Sequence, residues 1–329
     1  MKKFEQRLVK LAPVAYLVNK SKHLILPGFE GSPLFEVIQF FRQQITKIGF
    51  NLRAAAISFN VLMALPAGLI FLCTLVPYLP TAVHFERELI RTIAQLLKDT
   101  NTLRLVADVI HDFFGTQRNG LLSFSFAAAI FFSSNAMMGI MRTFDRSYFE
   151  ERSGKFLAKR WTAIRLTSFL ILLFFSTVLL LATQGPIRSF FLKTLNWDKP
   201  VVKSLIDSAR WIVIILLNYF TIAFIYRWAP AVKNRWSLIS PGAILATILT
   251  FFTSWLFSTW VNNFGQLNKV YGSIGTVLII MNLVYINSLV LLIGFELNVG
   301  IMAVKAKRML AEAAAGKITA AEGTNQNPN

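Results

Sequence analysis

Residues 274–304 read IGTVLIIMNLVYINSLVLLIGFELNVGIMAV, an apolar stretch whose single acid is Glu296. About 20 predominantly apolar residues are needed to cross the hydrocarbon core of a bilayer, so this stretch predicts a membrane-spanning helix. Five similar stretches precede it: Ile57–Leu79, Leu121–Met141, Thr162–Thr183, Ala209–Trp228 and Leu238–Val261. The sequence therefore predicts an all-α polytopic membrane protein with six transmembrane helices.

The distribution of Lys and Arg predicts the orientation of these helices, because cytoplasmic loops retain positive charge. The N-terminal 56 residues, the second and fourth connections and the C-terminal tail together hold 23 Lys and Arg, against 11 in the three alternate connections. An even number of spans also requires both termini to lie on one side. Both termini are therefore predicted to be cytoplasmic.

Outside the spans the sequence predicts further helices. In the N-terminal segment 1–56, apolar positions recur at helical spacing from Leu34, which indicates an amphipathic helix on the cytoplasmic side. It either lies in the membrane interface or packs on the ends of the spans. Within the transmembrane domain 57–304, residues 82–118 carry two amphipathic stripes and predict an external helical hairpin, either a gate or a structural lid. The Ala-rich, then polar tail 305–329 is predicted to be cytoplasmic and disordered.

The net charge of +18 first suggests a nucleic-acid partner. The basic residues, however, are spread over short membrane-flanking segments, where the positive-inside bias accounts for them. Basic residues at a membrane surface attract anionic lipids. We therefore expect membrane lipids, including anionic headgroups at the cytoplasmic face, as partners, and no nucleic acid.

Side chains for enzyme chemistry are scarce. The three histidines, His23, His84 and His111, lie far apart, and the single cysteine, Cys73, falls within the first span. Metal-assisted hydrolysis needs several His, Asp or Glu ligands at one place, and a nucleotide site needs a Gly-rich loop. Neither pattern occurs, so the sequence predicts no metal site, no cofactor and no enzymatic activity.

Polar and irregular residues within the spans are the candidates for function, because each is costly at membrane depth. In the first span Pro66 is expected to kink the helix and free a carbonyl toward a polar cavity, close to Asn60. Asn135 in the second span suits either an interhelical hydrogen bond or a substrate contact.

The last span is the most polar. Asn282, Tyr285 and Glu296 fall within about 60° of one another on a helical wheel. Glu296, the sole acid within any predicted span, lies in the cytoplasmic third. It either reaches interfacial water, pairs with a basic loop residue, or serves as a coupling or substrate-binding carboxylate.

Several motifs resemble those of the YihY/BrkB family of bacterial inner-membrane proteins. They are Arg53-Ala54-Ala55-Ala56 followed by Pro66, Arg142 to Tyr148, Tyr226-Arg227-Trp228-Ala229-Pro230, Ser240-Pro241-Gly242-Ala243, Tyr271-Gly272-Ser273-Ile274-Gly275 and Leu292-Ile293-Gly294-Phe295-Glu296-Leu297-Asn298. The resemblance runs from about Phe35 to Ala303. Leu283 stands where the family usually has a Trp, so any role of that ring is absent here.

The resemblance implies a multi-pass protein of the bacterial inner membrane with cytoplasmic termini. It also implies structural roles, in close backbone packing and in turns, for matching residues: Arg53, Pro230, Pro241, Gly242, Tyr271, Gly272, Gly275 and Gly294. Family members have carried the label of a tRNA-processing ribonuclease. The missing ligand constellation argues against that activity in this chain.

Two hypotheses for the function remain. One is a transporter or flippase-like exporter of a lipid or small amphiphilic solute, entering between the kinked first span and the polar last span. The other is a non-transporting scaffold or envelope-assembly factor that docks lipids or proteins. The sequence does not decide substrate, coupling ion, direction or oligomeric state, a homo-oligomer included.

Overall fold

A computed structural model provides the three-dimensional structure of the chain. It describes residues 27–47, 49–78, 119–145, 156–182, 200–230, 235–263 and 273–324, together with residues 20, 24, 86, 87, 90, 104, 107, 108, 110–112 and 232. Every regular element in this part of the chain is helical. The helices are α1 Leu34–Lys47, α2 Phe50–Leu75 with a 3₁₀ turn Val76–Tyr78, α3 Asn119–Asp145, α4 Phe156–Ala182, α5 Pro200–Trp228, α6 Pro241–Asn263 and α7 Ser273–Thr324.

The six helices α2 to α7 coincide with the six apolar stretches of the sequence. Over the described residues, five of them are long and apolar enough to cross a membrane: α2, α3, α5, α6 and α7. The third apolar stretch lies in α4, which at 27 residues also has the length to cross. The chain is thus an all-α polytopic membrane protein.

Each of these helices packs against the next one along the chain, and α7 returns to pack against α2. The contacts therefore form a closed circuit in chain order. The buried core lies mainly at one end of this circuit. That end, which we call the terminus face, comprises the beginnings of α2, α4 and α6, the ends of α3 and α5, and α7 from about Val290 onward.

Packing at the opposite end is looser among the described residues. Along residues 277–282 of α7 every side chain but Ile279 is exposed. Successive helical residues point 100° apart, so these six residues cover the whole circumference of the helix. Residues 211–216 of α5 behave in the same way, since five of these six side chains are exposed. The outer parts of α5 and α7 are thus little covered by their neighbours.

Helix α1 packs on the end of α7, which is one of the two placements that the sequence left open. Val37 is fully buried beside Phe29, Ile301 and Val304. The opposite side of α1 stays accessible, since Gln39 and Arg42 are exposed, and the neighbouring Ile38 is half exposed. Helix α1 is therefore amphipathic as predicted, and its apolar stripe faces α7.

Helix α7 has 52 residues and a length of about 78 Å, far more than a bilayer requires. It continues to Thr324, whereas composition predicts a disordered tail from residue 305. Residues 311–315 are strong helix formers, and they extend a helix that already exists, so the costly nucleation step is avoided. Residues 325–329 lie outside the described part.

The predicted external hairpin falls mostly outside the described residues. Its described residues 86, 87, 90, 104, 107, 108 and 110–112 are helical. The Nδ1 atom of His111 lies 2.8 Å from Oε1 of Glu86, which joins the two predicted stripes. This hydrogen bond raises the pKa of His111.

Helices α6 and α7 cross in close backbone contact at Gly242 and Gly294. A Cβ atom on Gly294 would lie 2.4 Å from the carbonyl oxygen of Gly242, 2.5 Å from the Tyr226 hydroxyl and 2.7 Å from the Ala246 Cβ. Real Cβ atoms do not approach backbone this closely. The crossing therefore requires glycine at both positions, as in the small-residue contacts of membrane helices.

We predict that Gly294→Ala destabilises the protein by about 1–3 kcal/mol, since the added methyl forces the two backbones apart. Gly68→Ala in α2 is the matched control, because a Cβ there meets nothing within 4 Å. Thermal unfolding in detergent measures both variants. Equal midpoints would show that the crossing tolerates a side chain.

Candidate functional site: an ion pair between α2 and α7

The most buried charged groups in the described part of the chain face one another between α2 and α7. The Arg53 Nη1 atom donates a hydrogen bond to Glu296 Oε1 at 2.6 Å. The Glu296 side chain is fully buried, and that of Arg53 is only 7% exposed. Arg53 Nη2 also donates to the Thr143 carbonyl oxygen of α3 at 3.0 Å. One guanidinium therefore joins three helices.

Local sequence explains both positions. Arg53 lies in the first turn of α2, four residues before the apolar stretch that begins at Ile57. From there its side chain reaches Thr143 near the end of α3 and Glu296 in the middle of α7. Glu296 follows Phe295 on α7, opposite this turn. A charge buried in an apolar environment is costly unless an opposite charge lies beside it. Each of the two residues thus accounts for the placement of the other.

Aromatic rings enclose the pair. Phe144 and Phe295, the sequence neighbours of Thr143 and Glu296, stack with ring centroids 3.8 Å apart and planes 4° from parallel. The Tyr226 and Trp236 rings contact Phe295 from two further sides. This apolar wall keeps the local dielectric constant low, which strengthens the attraction between the charges and raises the cost of separating them.

A second polar group lies beside the pair, between α7 and the start of α6. The Asn298 Oδ1 atom accepts from the Gly242 backbone N–H at 2.8 Å, and its Nδ2 donates to Ser240 Oγ at 3.1 Å. Ser240 Oγ in turn accepts from the Ala243 N–H, which makes it the N-cap of α6. Asn298 and Ser240 thereby satisfy backbone donors that the first turn of a helix leaves open.

The structure brings the candidates Glu296 and Arg53 together, whereas Asn282 and Tyr285 lie farther along α7. Asn282 is 14 residues from Glu296 on α7, about 21 Å along the axis, and is exposed. Tyr285, also far from the pair along α7, is half buried. Asn282, Tyr285 and Glu296 share one face of the helix, as the sequence indicates. The helical rise of about 1.5 Å per residue nevertheless places Asn282 and Tyr285 far from Glu296 along the axis.

The first-span candidates serve packing. Asn60 Nδ2 donates to the Ala56 carbonyl of its own helix at 2.7 Å, and its side chain lies against Gly139 of α3. Pro66 is exposed, so its ring faces away from the interior. In α3, Asn135 accepts a hydrogen bond from Arg160 of α4, whose guanidinium also lies 4.9 Å from the Phe131 ring centroid. Of the two alternatives that the sequence left for Asn135, an interhelical hydrogen bond or a substrate contact, the structure shows the hydrogen bond.

The motif residues lie at helix ends and crossings. Pro241 is the first residue of α6, where its missing N–H costs nothing, and Pro230 is buried just after α5. Gly242 and Gly294 form the crossing described above. Gly275 is buried in the first turn of α7, whereas Tyr271 and Gly272 lie outside the described residues.

Sequence reasoning missed that Arg53 is the partner of Glu296, and it also missed Thr143 and Asn298 as members of the site. The signal for Arg53 was present: the only acid within a span needs a cation, and Arg53 is the basic residue next to the first span. Thr143 contributes its backbone carbonyl oxygen, and because every residue has one, the sequence does not indicate which carbonyl binds Arg53. In the described part of the chain, no three His, Cys, Asp or Glu side chains converge as metal ligands.

We predict that Arg53→Met destabilises the protein by about 3–5 kcal/mol, because it leaves the Glu296 carboxylate buried without its arginine. The double variant Arg53→Met/Glu296→Leu should recover most of this loss, since an apolar pair carries no desolvation cost. Thermal midpoints of the wild type, both single variants and the double variant give the coupling.

The half-exposed pair Lys159–Asp145, with Nζ and Oδ2 3.2 Å apart, provides the control. Lys159→Met should change stability by no more than about 1 kcal/mol. An Arg53→Met protein as stable as Lys159→Met would contradict the importance of the buried pair.

Comparison with known proteins agrees with the arrangement of spans and motifs. The family model described as "Virulence factor BrkB" matches residues 41–317. A protein of Bacillus subtilis named "Putative ribonuclease-like protein YfkH" is 29% identical over 250 residues, which cover 75% of this chain and 88% of that protein. A "UPF0761 membrane protein" of Psychromonas ingrahamii is 33% identical over 85 residues, 25% of this chain and 28% of that protein.

A further relative, "UPF0761 membrane protein IL2447" of Idiomarina loihiensis, is 23% identical over 135 residues, 39% of this chain and 48% of its own length. No solved structure matches the chain. Since the family model covers most of the chain, including every helix that forms the site, this protein belongs to the BrkB family of membrane proteins.

Proposed function

We propose that this protein moves a lipid or a small amphiphilic solute across the membrane, as a transporter or flippase-like exporter. The observation that carries the proposal is the Arg53–Glu296 pair, buried between the first and last spanning helices. A buried ion pair is often no more stabilising than an apolar pair of the same volume. Its advantage is that the two charges can become hydrated when the helices part, whereas exposure of an apolar pair to water is unfavourable.

The contrast between the two ends of the bundle supports this proposal. At the terminus face the helices are held by the ion pair, the Gly242–Gly294 crossing and the Phe144–Phe295 stack. At the other end, side chains all around α7 at residues 277–282 are accessible, and Asn282 is a polar group among them. Close packing at one end and exposed helices at the other suit alternating access, in which packed elements switch between two arrangements.

In this proposal the Arg53–Glu296 pair closes the terminus face. The cargo enters the space beside the outer part of α7 and leaves after the pair separates, or moves in the reverse direction. Because the surrounding rings are apolar, separation requires water or a polar cargo group to take over the partners of both charges. The rings thus disfavour opening without cargo.

We further propose that the protein lies in the bacterial inner membrane with its termini, and hence the terminus face, in the cytoplasm. The excess of Lys and Arg on this side, 23 against 11, supports the orientation. We propose no enzymatic activity, a ribonuclease included: the scattered histidines offer no ligand set. The ribonuclease-like name belongs to the Bacillus relative.

The transport proposal can be tested in proteoliposomes. The movement of fluorescent phospholipids and of small osmolytes across the membrane is measured with and without a pH gradient. We expect the wild type to move at least one probe. The variant Arg53→Met/Glu296→Leu should lose flux by about tenfold or more, since a gap of 1.4 kcal/mol in the opening equilibrium already gives tenfold. It should do so while keeping the wild-type thermal midpoint.

Lys159→Met is the control and should keep its flux. Full flux in the apolar double variant would refute the pair as a gate. Absence of flux for both probes, from wild-type protein that is folded and inserted, would refute transport and favour the scaffold. Deletion of residues 82–118 would then be the next test.

Labelling with a membrane-impermeant maleimide tests the orientation in a Cys73→Ala background. Asp108 in the predicted hairpin and Ala314 at the far end of α7 are both exposed. We expect Asp108→Cys to be labelled in cells with a permeabilised outer membrane, and Ala314→Cys only after lysis. The reverse pattern would place the terminus face outside.

A further inference from the structure

A second polar site lies at the terminus face, outside the ion pair. A cavity of about 350 Å³ opens between the turn before α1, the segment before α6 and the part of α7 beyond Asn298. Its polar lining comprises Glu30, Arg235, Ser237, Ser240, Asn298 and Lys305. Two of these are cations on different elements, which is the arrangement that binds a multiply coordinated anion.

One of the cations is held by an acid from the same cavity. Lys305 Nζ donates to Glu30 Oε2 at 2.5 Å, and both side chains are more than a third exposed. Such an accessible pair contributes only about 0–1 kcal/mol to stability. An incoming anion that contacts Arg235 as well as Lys305 therefore displaces the carboxylate at little cost.

The turn that carries Glu30 is held in an unusual backbone conformation. Glu30 has a φ of 49°, between Gly28 at 84° and Gly31 at 82°. A residue with a side chain is uncommon in this left-handed region. The turn is nevertheless firmly attached, because Phe29 is buried against α1 and α7, and Gly28 lies against Pro241, leaving no room for a Cβ. The fold thus presents a carboxylate to Lys305 at a position where glycine is the easier choice.

The cavity also has apolar side chains at its rim. Ile239 is 74% exposed and Met309 is 56% exposed, and both line it. Lys305 directly follows the last predicted span. A site with cations inside and accessible aliphatic groups at its edge matches an amphiphile at the membrane surface better than a free anion.

We propose that this cavity binds the phosphate headgroup of an anionic membrane lipid through Arg235 and Lys305. Glu30 holds Lys305 while the site is empty and is displaced when the lipid binds. Arg235 offers the planar, bidentate donor set that suits a phosphate, and Lys305 adds a second point charge. The proposal stands apart from transport, since a lipid here contacts α6 and α7 whether or not any cargo moves.

Native mass spectrometry of the full-length protein in detergent tests the site, with phosphatidylglycerol and phosphatidylethanolamine as lipid probes and inorganic phosphate as the free anion. We expect phosphatidylglycerol to bind in preference to phosphatidylethanolamine. Arg235→Gln and Lys305→Gln should each weaken its binding by about tenfold, the loss expected for a charge-assisted hydrogen bond. Glu30→Gln should strengthen binding by a few-fold, because it removes the competing carboxylate.

Lys307→Gln is the matched control, since Lys307 is an exposed lysine on the same helix that lines a different cavity. Equal losses in Lys305→Gln and Lys307→Gln would show attraction by net charge alone and overturn the site. Unchanged or weaker binding in Glu30→Gln would overturn the role of Glu30. Inorganic phosphate that competes at the concentration of the lipid would assign the site to a free anion instead.

Discussion

The ion pair of Arg53 and Glu296 joins helices whose residues are 243 positions apart in the chain, and the rest of the terminus face is arranged around it. Neither charge is stable alone in so apolar an environment, so α2 and α7 must meet at this point. The additional bond from Arg53 to the Thr143 carbonyl brings α3 to the same place. One electrostatic requirement therefore sets the relative position of three of the six spanning helices.

Close packing completes what the ion pair begins. Gly242 and Gly294 let α6 approach α7, and Asn298 then reaches the first turn of α6 to bind its backbone. Phe144 and Phe295, which are neighbours in sequence of Thr143 and Glu296, stack within the same buried core. Among the described residues, comparable contacts are fewer at the outer end, where residues 211–216 of α5 and 277–282 of α7 are largely exposed. A closely packed terminus face with exposed outer helices is the physical basis of the transport proposal, and the proposed lipid cavity lies at the closely packed end.

Sequence periodicity and hydropathy located the helices well, because membrane helices satisfy their backbone hydrogen bonds locally. What the sequence left open depended mainly on relations between helices. Asn282 and Tyr285 share a helical face with Glu296 but lie too far along the axis to act with it. Pro66 lies within α2 with its ring exposed, a direction that the sequence did not specify. Beyond residue 305, composition indicated a disordered tail, while the helix continues to Thr324 because elongation of an existing helix needs no new nucleus.

By itself, the sequence determined the class of the protein, the positions of its apolar helices and the singular status of Glu296, because each follows from the solvation of residues that are neighbours in the chain. Only the tertiary structure decided that Arg53 is the partner of Glu296, that Gly242 and Gly294 form a helix crossing, and that Glu30, Arg235 and Lys305 line one cavity. These residues come from segments far apart in the chain. Their meeting depends on how the apolar surfaces pack, and the helical period of any single segment does not contain that information.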